Sequence, residues 1–159
     1  MNALGHYVRI HLTGSAAGIE LFGRGRRMAD PTARGVLGDI RDELRQERRQ
    51  LLEMAERLDA RPAPVVAMGA RAGERLSRLK PNGHPFRRTP LADLVDLEAM
   101  RTAVAGKVAG WEGLLAVADE HPPLDRDELS DLLRQGRRQH DQLSVLHGEA
   151  SERALGAST

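Results

Sequence analysis

The chain has 159 residues, 30% of them charged, with 24 basic and 23 acidic side chains and a net charge of +1. That near-balance leaves no global field to recruit nucleic acid or anionic lipid. The absence of cysteine excludes disulfides, thiolate catalysis, zinc ribbons and iron–sulfur clusters.

The length suits one domain, with a core that needs no covalent staples. Aromatic residues are limited to Tyr7, Phe22, Phe86 and Trp111, and β-branched residues never alternate along a run. A core of Leu, Ala and Val with few aromatics points to an all-α fold. No stretch approaches the ~20 apolar residues that span a bilayer. The N-terminus shows no basic region followed by an unbroken apolar run, so no secretory signal is expected. A cytoplasmic location is the matching expectation, which the lack of cysteine fits.

Four long helices are predicted in chain order. The first runs from about Leu4 to Met28, with an apolar face on Val8, Leu12, Ala16, Ile19 and Phe22. The second, 31–59, opens at Asp30-Pro31-Thr32, a cap with proline in the first turn. A connection of about 30 residues follows. It holds a short amphipathic helix over 65–79, on Val65, Met68, Ala72, Leu76 and Leu79, and closes at Pro81-Asn82-Gly83-His84-Pro85. The third long helix, 90–119, opens at Thr89-Pro90, with Asp93 and Asp96 near the positive end of its dipole. The fourth, 126–155, opens at Asp125 with Glu128 three residues on, a capping-box-like pair.

Residues 31–59 carry the most informative pattern. Their inward seam reads Leu37, Ile40, Leu44, Glu47, Leu51, Met54, Leu58, alternating steps of three and four. A carboxylate stands at the centre of an apolar stripe, where an unpaired charge costs several kcal/mol or more. The third helix repeats the oddity with Arg101 in a seam through Leu94, Leu97, Val104, Val108 and Trp111. Glu98 lies beside that seam, Glu20 follows Ala16 by one turn on the first helix, and the fourth helix places His140 and His147 with Leu133, Gly136, Leu143 and Ala150. At ~1.5 Å per residue these side chains fall into two neighbouring polar layers.

Four helices, a long second connection and inward glutamates on the first three resemble the ferritin-like superfamily. The resemblance implies a ferritin-like four-helix bundle whose long crossover carries the short extra helix. In di-iron members of that superfamily, two helices each give a Glu and two give Glu-x-x-His. Here the second helix offers Glu43-Leu44-Arg45-Gln46 and Glu47-Arg48-Arg49-Gln50, with Gln where His is expected. The fourth offers His147 without a matching Glu. The segment from Leu79 to Leu97 with the rest of its helix also resembles a group of small uncharacterised actinobacterial bundle proteins, which brings no activity with it.

Three readings of the polar set follow, the third being a pocket for a small ligand whose identity the sequence does not give. In the first, Glu43 and Glu47 pair with Lys107 or Arg101, Glu98 pairs with His147 or Arg101, and His140 joins them in a structural network. If Glu47 is a paired core charge, Glu47→Leu with Lys107→Met is expected to fold at least as stably as the natural chain. In the second, Glu20, Glu43, Glu47, Glu98 and His147 are ligands of iron, manganese or zinc. The broken Glu-x-x-His motif favours the first. The expected role is therefore non-catalytic, in scaffolding, binding or assembly. The alternative is a metal-binding carboxylate bundle acting as an oxidase or metal store. A homodimer through helix faces is a candidate partner mode, and no nucleic-acid or membrane partner is expected. The small-residue run Thr13-Gly14-Ser15-Ala16-Ala17-Gly18 reads as a site of close helix packing rather than a cavity wall.

Overall fold

The structure, a computed structural model, describes residues 3–60 and 88–156. Among the described residues it is all-helical. Four long helices carry the fold: α1 (Ala3–Phe22), α2 (Pro31–Arg57), α3 (Pro90–Ala116) and α4 (Arg126–Leu155). No helix among the described residues is long and apolar enough to cross a membrane. The helix expected over 65–79 lies outside the described residues.

The helix starts follow from their caps. Asp30 accepts hydrogen bonds from the amides of Thr32 and Ala33 ahead of Pro31. Thr89 accepts from Ala92 ahead of Pro90, and Asp125 accepts from Glu128. The expected reciprocal bond of the α4 box is not made, because the Glu128 carboxylate binds Arg57 at 2.6 Å. The first helix stops six residues short of Met28. Gly23–Arg27 tightens into a 3₁₀ turn, as two glycines in five residues disfavour the α form. At the end of α2, Asp59 takes a left-handed φ of 49°. The Ala60 amide reaches back to Ala55 O at 2.7 Å, which satisfies carbonyls the helix leaves open.

Cross-helix bonds fix the directions. Arg48 reaches Leu12 and Arg41 reaches Ile19, so α1 and α2 are antiparallel. Lys107 meets Gln139, and Glu98 meets His147, so α3 and α4 are antiparallel. Arg57 meets Glu128 while Asp30 meets Arg153, setting α4 antiparallel to α2. Arg24 meets Asp96, whereas His11 packs on Gly110, setting α3 antiparallel to α1. It follows that α2 and α3 run the same way, so the end of α2 and the start of α3 lie at opposite ends of the array.

Two apolar clusters fill the interior. One gathers Phe22, Leu37, Ile40, Leu97, Met100 and Leu143. The other gathers Val8, Leu12, Met54, Trp111, Leu114 and Leu129. The α3 seam corrects the expected one. Met100 is buried where Arg101 was expected, and the charged group that reaches the core from this helix is Lys107, two turns on, which binds the buried Glu47 and Gln139. At the end where α3 starts, Arg88 donates to both Asp93 and Asp96, Arg24 binds Asp96 at 3.1 Å, and the Ala29 amide binds Asp93. Arg24 and Arg88 thereby tie the α1–α2 turn to the head of α3.

Candidate functional site

Glu47 is 2% exposed and Gln139 is fully buried; they are the buried polar or charged side chains of the described core. Lys107 Nζ donates to Glu47 Oε1 at 2.9 Å and to Oε2 at 2.6 Å, and donates again to Gln139 Oε1. Gln139 Nε2 donates to Glu47 Oε1 at 2.9 Å and Glu43 Oε2 at 2.6 Å. Gln135 Nε2 adds a bond to Glu47 Oε1 at 2.8 Å. A lysine ammonium only donates, so the amide oxygen of Gln139 has to face it and the amide nitrogen is left for the carboxylates. Every strong donor and acceptor at the centre is matched, which is the condition for keeping charge inside. Burial pushes Lys107 below the usual lysine value. Attraction and hydrogen bonding to Glu47, with the charge of Glu43, work against that push.

The expected ligand set does not assemble. Glu43 sits half-buried at the rim of the network, its other oxygen on Arg138 at 2.7 Å. Glu98 is exposed on α3 and faces His147 at 3.3 Å, a separate pair. Glu20 is exposed on α1 and makes no polar side-chain contact among the described residues. Arg101 and His140, expected in the network, are half-buried with no polar side-chain partner among the described residues. Among the described residues, no group of three or more His, Asp or Glu side chains could hold a metal ion. Glu43 and Glu47, which share the Gln139 amide, are engaged by amide and cationic donors.

Two functional candidates were missed. The buried face of α4 runs Leu129, Leu132, Gly136, Gln139, Leu143, Leu146, Ala150. That is the same three–four alternation that exposed Glu47, and it passes through Gln139 one residue before His140. Gln135, one turn earlier, is the other.

Against this network lies a cleft of about 310 Å³ between α1, α2 and α3. From α2 it is lined by Leu44, Glu47, Arg48 and Leu51, and from α3 by Val104, Lys107 and Trp111 among others. From α1 come Ile10, His11, Gly14, Ser15, Gly18 and Phe22. Gly14, Ala103 and Gly106 are exposed at its rim beside Ile10, which is 50% exposed, whereas Phe22, Leu51, Val104 and Trp111 are buried. Most of the lining is apolar, with the Glu47–Lys107 pair set midway.

The glycines of α1 correct the close-packing expectation. A Cβ added at Gly14 or at Gly18 would meet nothing within 4 Å among the described residues. The close approach lies one turn before them, where a Cβ on Gly110 would come within 2.4 Å of the His11 ring. Here α1 touches α3 through His11 and Tyr7, whose rings meet edge-on with centroids 4.7 Å apart. Beyond this contact the two helices leave the cleft between them. Burial holds the His11 imidazole below its ordinary value. The Trp111 indole N–H is buried with no hydrogen-bond partner among the described residues.

No family model matches the chain, and no curated protein or solved structure does.

Proposed function

We propose that the chain is a non-catalytic four-helix bundle of ferritin-like connectivity that binds a small, largely apolar molecule between α1, α2 and α3. The common direction of α2 and α3 supports the connectivity, because it requires a connection as long as the bundle. The observation that carries the binding role is the cleft wall formed by Gly14 and Gly18. Mid-helix glycines cost about 1 kcal/mol each relative to alanine, and among the described residues no packing partner takes the space these two leave. At about 310 Å³ the cleft stands at the lower end of the roughly 300–1,000 Å³ range of ligand pockets. Taking about 30 Å³ per heavy atom, as for a water molecule, it suits a body of about ten heavy atoms. The buried network serves structure in this reading, since Lys107 and Glu47 are committed to one another and to two amides.

Trp111 is the chain's one tryptophan and lines the cleft, so its emission reports occupancy directly. Titration with 1-decanol should shift that emission saturably. Gly14→Leu with Gly18→Leu should abolish the response in a protein that remains folded. No saturable response in the natural chain, or an unchanged one in the filled variant, would overturn the binding role.

A further inference from the structure

We infer that the molecule the cleft accepts is a monoanionic amphiphile whose carboxylate-like group docks on Arg48. This rests on the binding role proposed above and adds the chemical class of the ligand.

The argument is a count of charge along the cleft wall. Four lining side chains can carry charge: His11, Glu47, Arg48 and Lys107. Glu47 and Lys107 cancel at 2.6 Å. All three Lys107 donors are used on Glu47 and Gln139, and Glu47 Oε1 takes two further amide bonds. Burial favours the uncharged form of His11. Arg48 remains. Its Nη1 donates to Leu12 O and to Ser15 Oγ, each at 2.5 Å, and both acceptors are neutral. No carboxylate among the described residues forms an ion pair with it. The cleft therefore presents one uncompensated positive charge amid apolar walls.

The free edge of that guanidinium suits a carboxylate. Nη1 is occupied, whereas Nε and Nη2 make no hydrogen bond among the described residues, and neither is among the buried unpartnered atoms. Nε–H and the neighbouring Nη2–H point the same way from the planar group. They form the fork that takes a carboxylate through two parallel bonds. The two bonds to α1 hold the fork in place before any ligand arrives, which lowers the ordering cost of binding. On either side the lining turns apolar, with Leu51, Ile10 and Trp111 one way and Leu44, Val104 and Phe22 the other. A purely neutral ligand would leave the charge unanswered. A cationic one would add a second.

Decanoate, 1-decanol and decylamine share one chain length and differ in head group. Titrated into the intact protein with Trp111 emission as readout, decanoate should bind about tenfold or more tightly than decanol, the size of one charge-assisted contact. Decylamine should bind more weakly than decanol. Arg48→Gln should bring decanoate to the level of decanol while decanol itself changes by less than about twofold on the same reasoning. Arg48→Lys should recover only part of the preference, because an ammonium offers no fork. The comparison of head groups in the natural chain needs no variant, so it stands even if Arg48→Gln loses its hold on α1 and unfolds. Equal binding of acid and alcohol overturns the anion assignment and leaves the cleft's binding role intact. A preference for acid that survives in a folded Arg48→Gln protein also overturns it. Failure of all three ligands removes the binding role and this inference together.

Discussion

The Glu47 carboxylate and the Gln139 amide, from α2 and α4, meet at 2.9 Å in a place that solvent scarcely reaches. Their contact changes what a core swap should do. Glu47→Leu with Lys107→Met removes the ion pair but leaves the Gln139 amide oxygen buried without its donor. An unsatisfied buried group costs about 1–3 kcal/mol. Adding Gln139→Leu should therefore make the triple variant more stable than the double by about that amount. Glu47→Ala alone should lose roughly 3–5 kcal/mol by stranding the lysine. Urea unfolding of the three variants checks this, and a triple no more stable than the double would sink the account.

Glycines in the same helical pair should respond with opposite signs. Gly14→Ala and Gly18→Ala place a methyl in open space, and each should stabilise by up to about 1 kcal/mol. Gly110→Ala drives a methyl into the His11 ring and should destabilise by about 1–3 kcal/mol. Thermal melts of the single variants decide it; a gain at Gly110 would mean that α1 and α3 do not touch there.

Acid should act through His11. Burial lowers its folded value below the ordinary 6.5, so the unfolded chain takes up the proton first. Its contribution is then constant above about pH 6.5 and is lost as pH falls through the folded value. Tyr7 borders the ring, and Arg48, Lys107 and the paired Glu47 line the same cleft. The stability gap between His11→Phe and the natural chain should shift in favour of the variant between pH 7 and pH 5. Parallel pH profiles would remove His11 as the cause.

Protein prepared without chelators should carry no stoichiometric iron, manganese or zinc. Glu98→Ala and Glu20→Ala, both at exposed sites, should change stability by no more than about 0.5 kcal/mol. Elemental analysis tests the first point and denaturant melts the second. Bound metal that disappears in Glu47→Ala and Glu98→Ala would revive the carboxylate-ligand reading.

Much of this was legible in the seam of α2, because a three–four alternation is set by helix geometry alone. The pattern identified Glu47 as buried, and chemistry then demanded a cation, which Lys107 supplies. Less legible was the choice between neighbouring residues. One step along a helix is a turn of about 100°, which separates Met100 from Arg101 and Gln139 from His140. Histidine and arginine drew attention as charged groups, while the glutamine that holds the network together has no charge to betray it. The cleft could not be read at all. Glycine serves close packing and open space equally well, and only the angle at which α1 leaves α3 decides between them.

Glu47 comes from one antiparallel pair of helices, and Lys107, Gln135 and Gln139 come from the other. Each pair can zip up on contacts near in sequence, whereas the network closes only when the two pairs meet across residues 61–87. Groups that join after most of the chain has condensed leave their mark on the unfolding rate. Denaturant-dependent kinetics of Glu47→Ala should show a steepened escape from the folded state and a nearly unchanged approach to it; equal movement of both arms would contradict this. The carboxylate would then govern how long the chain stays folded while leaving the speed at which it folds almost unchanged.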